Sequence, residues 1–149
     1  MLLTGTYSRS IDEKLRVALP KRLRTAMGLS DGDAVYVAPG TDQSVAIYDE
    51  SAFEQLAARL ADIPPTRPDV RAFVRLFYAR AQRVELDAQG RIRIPQELAG
   101  LVVLGKEAVL LAVQDHLELW AADRWEVYLA EKQKHYDEIA ETTFGVGPP

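Results

Sequence analysis

The chain has 149 residues, 48% of them hydrophobic and 27% charged, with a net charge of −4. That is the composition of a folded domain, long enough to bury about 70% of its unfolded surface without a staple. The absence of cysteine excludes disulfides, thiolate nucleophiles, cysteine zinc sites and iron–sulfur clusters.

No apolar run reaches the ~20 residues of a membrane helix. No charged-then-apolar leader opens the chain, so the cytoplasm is the expected location. The opening segment is basic: Arg9, Lys14, Arg16, Lys21, Arg22 and Arg24 face only Asp12 and Glu13. Asp12-Glu13-Lys14-Leu15-Arg16 reads as a turn feeding a strand that Pro20 ends, since proline suits the start of a helix. Leucine at position 15 resists positive φ, so this turn is expected to be strained or rearranged. Leu23, Ala26 and Met27 have helical spacing and Gly28 a helix stop. Ala34–Val37 reads as a buried strand, and Ile47-Tyr48 as another. Phe53, Leu56, Ala57 and Leu60 then predict a helix capped by Asp49 or Ser51. Ile63-Pro64-Pro65-Thr66-Arg67-Pro68 breaks it. Residues 64–80 read as a linker and connecting helix, with Val70, Phe73, Val74 and Phe77 on its apolar side and Arg71 and Arg75 on the other.

Val84 and Leu86, then Ile92 and Ile94, alternate with charged residues around Asp87-Ala88-Gln89-Gly90. Aspartate first and glycine fourth suit a tight turn, and the whole predicts a half-buried hairpin. Ala108–Leu111 and Leu119-Trp120 are apolar strands. A final helix from Arg124, capped by Asp123, is expected to align Trp125, Tyr128, Leu129, Tyr136 and Ile139. Residues 142–149 read as a flexible tail. From Asp115 onward acids outnumber bases, so the two ends of the chain differ in sign.

The segment Asp12 to Pro20 reappears as Asp87 to Pro95, with Asp, Arg and Pro all displaced by 75 positions. Leu23 meets Leu98 at the same displacement. The organisation is therefore two copies, 1–63 and 81–141, each strand, turn, strand, proline, short helix, buried strands, helix. A half of that size has little core alone, so both halves are expected to share one pseudo-symmetric, mainly β fold with short helices (α+β).

The doubled Asp-x-x-x-Arg carries the chemistry. An arginine fork can pair with guanine O6 and N7, neighbouring Lys or Arg can neutralise phosphate, and an aspartate four residues earlier can fix the guanidinium. The plain alternative is a pair that only stabilises a turn. Candidate DNA-binding residues are Arg16, Arg91, Lys14, Arg93, Lys21 and Arg22, with Asp12, Asp87 and Gly90 shaping the loops. Arg71, Arg75 and Arg80 suit a phosphate surface or a solvated face equally. Trp120 and Trp125 suit packing, with base stacking the alternative. His116 and His135 read as surface residues. No nucleophile elbow, Walker loop, dinucleotide fingerprint or metal spacing occurs, so neither an enzyme nor a cofactor is expected.

With D-E-K-L-R-V-A-L-P-K-R-L-R and D-A-Q-G-R-I-R-I-P-Q-E-L, the chain resembles the MraZ family, bacterial regulators associated with the division and cell-wall gene cluster. It departs at Leu15, where similar proteins tend to carry glycine, and at Ala99, often arginine. The resemblance implies an AbrB-like swapped-hairpin β-barrel assembled into a homo-oligomeric ring. It also implies a nucleoid-associated regulator binding G-rich direct repeats of promoter double-stranded DNA. A competing class is an AbrB-like antitoxin or other protein-binding module, against which the folded second copy weighs. A hydrolase built on a carboxylate pair is a third.

Overall fold

Strands that alternate apolar and polar residues have one face to bury, and here two such sets must find each other along one chain. The computed structural model describes residues 2–146. The first copy runs β1 (Thr6–Ser10), β2 (Arg16–Ala18), α1 (Lys21–Ala26), β3 (Ala34–Pro39), β4 (Val45–Asp49) and α2 (Glu50–Ala61). Helix α3 (Pro68–Arg80) leads into β5 (Gln82–Glu85), β6 (Arg91–Arg93), α4 (Gln96–Leu101), β7 (Glu107–Val113), β8 (His116–Ala121) and α5 (Ala122–Gln133), and α6 (Tyr136–Val146) follows.

The hairpins exchange strands, as the family resemblance implies. Each turn closes with two backbone bonds: Leu15 N–H to the Asp12 carbonyl and Gly90 N–H to the Asp87 carbonyl, both 3.0 Å, and Asp12 N–H to the Arg16 carbonyl at 3.2 Å and Asp87 N–H to the Arg91 carbonyl at 2.9 Å. Beyond them the strands part. β1 pairs with β7 and β5 with β3, while β2 and β6 pair with each other. The result is a six-stranded antiparallel sheet, β1-β7-β8-β4-β3-β5, and a two-stranded ribbon. Exchanging the copies maps that order onto itself, and Val17 pairs with Ile92, its own counterpart at 75 residues, on the pseudo-dyad. The physical reason for exchange is the edges: hairpins closed on themselves would leave β3 and β7 with unpaired rims, which β5 and β1 cover.

The ribbon lies over one face of the sheet. Val17, Leu19, Ile92 and Ile94 pack there with Val35, Val37, Val45, Ile47, Leu110, Leu117 and Leu119 as the main core. The other face carries two smaller clusters, one per copy. Ala38, Phe53 and Phe77 seat α2 and α3, with Tyr36 stacked on Phe53 at 4.3 Å. Val109, Leu111 and Trp120 seat α5 through Trp125 and Tyr128. α5 and the ribbon are therefore on opposite faces of the sheet. At 3% exposed, Trp120 is a packing residue with no face open to a base.

Asp49 caps α2, accepting from the Ala52 N–H at 2.7 Å, as its position predicts. The C-terminal end differs from expectation. One helix from Arg124 becomes two, α5 and α6, and the Asp123 carboxylate accepts from Arg124 N–H at 2.9 Å inside the first turn while Ala121 is the cap residue. Residues 142–146 continue α6, with Thr142 and Thr143 hydroxyls bonded back to the Glu138 and Ile139 carbonyls. Residues 147–149 of the expected tail lie outside the described residues. No helix among the described residues is long and apolar enough to cross a membrane.

The two short helices end alike on unlike residues. Leu29 N–H donates to the Arg24 carbonyl and Leu104 N–H to the Ala99 carbonyl, each at 2.9 Å, the wrapped ending that requires a left-handed residue. That residue is Gly28 at φ 69° in the first copy and Val103 at φ 52° in the second. A β-branched residue resists this conformation, and Val103 is 74% exposed, so its side chain recovers little by burial. Val103→Gly should therefore stabilise the protein by about 1 kcal/mol, read as a higher urea midpoint with unchanged slope. A lower midpoint would place packing above strain at this position.

His116, expected at the surface, has a side chain only 19% exposed at the seam where β4 meets β8. Its ring stacks on Tyr48 at 5.0 Å, with Nδ1 2.8 Å from Asp115 and Nε2 3.4 Å from Glu118. The hydrogen bond to Glu118 raises its pKa above the ordinary histidine value, against the burial that opposes it. A raised folded-state pKa gives stability that is present below the unfolded value and lost as pH rises through the folded one. The denaturation midpoint should fall as pH rises from about 6 to 8. That slope should be shallower in His116→Gln, and an equal slope in both proteins would remove histidine as its source.

Candidate nucleic-acid interface

Asp-x-x-x-Arg closes a turn when the carboxylate reaches forward to the backbone N–H groups that the turn leaves unbonded. Asp12 Oδ1 accepts from Lys14 N–H at 3.0 Å and Arg16 N–H at 2.8 Å, and Oδ2 accepts from Arg16 Nε at 2.6 Å. Asp87 repeats the set: Gln89 N–H and Arg91 N–H, both 2.9 Å, and Arg91 Nε at 2.9 Å. Both carboxyls are held below the usual aspartate range, first by the N–H of Arg16 or Arg91. With Nε committed to aspartate, each guanidinium has a fixed direction. Leu15 keeps the turn of its glycine counterpart, at φ 61° against φ 74° for Gly90, so the first loop is strained rather than rearranged.

The exchange of strands brings the two loops side by side. Val17 and Ile92 point into the core, so Arg16, Arg91 and Arg93 share the outward face of the ribbon. Arg16 lies directly across from Arg93, a like-charge pair that a sheet built for stability alone would avoid. Arg93 Nε donates to the Lys14 carbonyl at 2.9 Å, tying the second copy's strand to the first copy's loop. Arg91 Nη1 lies 3.9 Å from Asp12 Oδ2, and Nη2 3.5 Å from Gln89 Oε1. A cleft between the loops is lined by Lys14, Arg16, Arg91 and Arg93 with Glu85 and Asp87. Four of the six residues expected at the site thus meet in one place. Lys21 and Arg22 are exposed on α1, outside that cleft.

Four other arginines are engaged within the chain. Arg80 pairs with Glu97 at 2.8 Å, Arg83 with Glu50 at 3.1 Å and Arg67 with Asp69 at 2.8 Å, while Arg71 donates to the Pro65 carbonyl. No cluster of three or more potential metal ligands occurs among the described residues. One residue at the site was absent from the expectation: Arg24, whose guanidinium lies against Gly90. A Cβ there would be 2.6 Å from Arg24 Cζ. The sequence held a signal, since the 75-residue displacement sets Ala99 opposite Arg24 and Leu15 opposite Gly90.

The sequence profile of one protein family, described as "MraZ protein, putative antitoxin-like", matches twice, over residues 2–76 and 77–147. The chain belongs to the MraZ family. The boundary between the two matches falls inside α3, between the copies inferred from the sequence. Family relatives are similar over nearly their whole length. "Transcriptional regulator MraZ" of Pelotomaculum thermopropionicum is 39% identical over 140 residues, 94% of each chain. The protein of that name from Alkaliphilus metalliredigens is 37% identical over 139 residues, 93% of this chain and 94% of its own. That of Ligilactobacillus salivarius is 36% identical over 140 residues, 94% and 95% respectively.

Proposed function

We propose that this MraZ-family chain is a sequence-specific DNA-binding transcriptional regulator that reads guanine edges with Arg16 and Arg91. The observation that carries the reading is the pair of aspartate-fixed arginines on one outward ribbon, around a single cleft. A guanidinium held by its Nε presents the remaining fork in a set pose, the requirement for bidentate contact with O6 and N7 in the major groove. Lys14 and Arg93 lie beside it as phosphate contacts, with Lys21 and Arg22 extending the basic surface along α1. The names of the relatives support regulation of transcription. α5, which carries acidic Asp123, Glu126 and Glu131, packs on the sheet face away from the ribbon, so its charge does not oppose a duplex at the cleft.

One chain offers few phosphate contacts at a net charge of −4. Useful affinity then calls for several chains on spaced, G-rich direct repeats, held in a ring-like homo-oligomer. Such repeats upstream of division and cell-wall genes, and residence at the nucleoid in the cytoplasm, complete the proposal. An antitoxin role is the other class, and the word "antitoxin-like" belongs to the family description. Antitoxins of the AbrB kind place their toxin contacts in a disordered extension, whereas here the second copy folds into the same sheet as the first.

The test begins with selection of bound sequences from a randomised duplex pool by the intact protein. Arg91→Ala should weaken binding to the selected duplex by about 1–3 kcal/mol per site and relax base preference, with oligomeric state unchanged. Equal binding of Arg91→Ala and parent would reduce the motif to a turn.

A further inference from the structure

The pseudo-dyad makes every residue near the loops comparable with its counterpart, and one contact fails the comparison on both sides at once. At the second loop Gly90 has no side chain, and the Arg24 guanidinium occupies the space, its Nε donating to the Leu19 carbonyl at 3.0 Å. At the first loop the glycine position is Leu15 and the arginine position is Ala99, and both line one cleft on the opposite side of the ribbon. Glycine with arginine has been exchanged for leucine with alanine. Glycine at position 90 is what lets Arg24 lie here: a Cβ would sit 2.6 Å from its Cζ and push the guanidinium aside.

The charges differ as well. Arg16 and Arg91 are each neutralised by an aspartate, while Arg24 has no carboxylate within 4.0 Å among the described residues. Its Nε is committed to a carbonyl, so its positive charge is uncompensated, half-buried and set against the backbone of the Gly90 loop. An unpaired, partly desolvated guanidinium beside a proposed base-reading arginine has the placement of an anion contact.

We propose that Arg24 is a further DNA-binding residue, contacting backbone phosphate beside the Gly90 loop, and that the Leu15–Ala99 exchange removes the equivalent contact from the other loop. This rests on the DNA-binding reading above. Each chain then holds DNA unequally, more strongly through the second loop. That inequality adds to those the ribbon and loops already carry, Arg93 against Ala18 and Lys14 against Gln89, in setting the polarity of a bound chain along its site.

The probe is the duplex selected from the random pool, compared with a scrambled duplex of equal composition. Arg24→Ala should lower affinity for both duplexes alike, roughly eightfold per engaged chain at 0.1 M salt, the counterion-release value for one phosphate. It should lower the salt slope by about 1 per chain, with Arg24→Lys retaining most of both. Leu15→Gly/Ala99→Arg should do the reverse, raising affinity and steepening the slope, and it decides the question should Arg24→Ala lose its fold. An unchanged slope in Arg24→Ala, or no gain in the double variant, overturns the assignment of Arg24 while leaving the Arg91 reading intact. A loss confined to the selected duplex overturns the phosphate contact in favour of base reading. A parent protein that selects no sequence and binds neither duplex overturns the DNA-binding reading itself.

Discussion

The pairing of β2 with β6 is the constraint on which the other features hang. Because Val17 meets Ile92 on the pseudo-dyad, each copy lends its outer strand to the other copy's sheet. Neither half can keep its core without its partner: the inward residues of the ribbon are 0% and 1% exposed only because strands from both copies lie beneath them. The same pairing turns Arg16, Arg91 and Arg93 outward together and sets the two loops beside one cleft. Two sites separated by 75 residues in sequence become one surface through a single short ladder.

Against that frame the aspartates have a double duty. Each accepts from two backbone N–H groups and from an arginine Nε, so one carboxylate both closes the turn and aims the side chain. A stable sheet has no need of Arg16 across from Arg93, and the repulsion is tolerable because Asp12 and Asp87 neutralise part of it. Local cost without local benefit is the mark of a functional surface. The bonds are exposed enough for solvent to weaken them, and their value lies in orientation rather than in stability.

Much of this was legible in the chain. The 75-residue displacement, the turn chemistry at Asp87 and Gly90, and the alternation around Ile92 and Ile94 placed the loops and their arginines correctly. The exchange of strands was not legible from residues: alternation identifies a strand and its buried face, but a partner across the pseudo-dyad satisfies the same pattern as a neighbour in sequence. Only the resemblance to a family carried it. His116 was misjudged because one polar residue at a strand start gives no periodic signal, and its burial comes from Tyr48 on a neighbouring strand. The break between α5 and α6 escaped for a related reason. Trp125, Tyr128, Tyr136 and Ile139 hold helical spacing across it, and neither glycine nor proline marks the bend. The departures at Leu15 and Ala99 were visible singly, while the contact between their counterparts, Gly90 and Arg24, required the fold.

The proposed function requires DNA to meet this protein on the ribbon and its two loops. Hydrogen exchange of the intact protein, with and without the selected duplex, tests it most directly. Exchange should slow in residues 12–18 and 87–93, with α5 and α6 unchanged. Protection confined to the helices, with the ribbon exchanging as in the free protein, would contradict it.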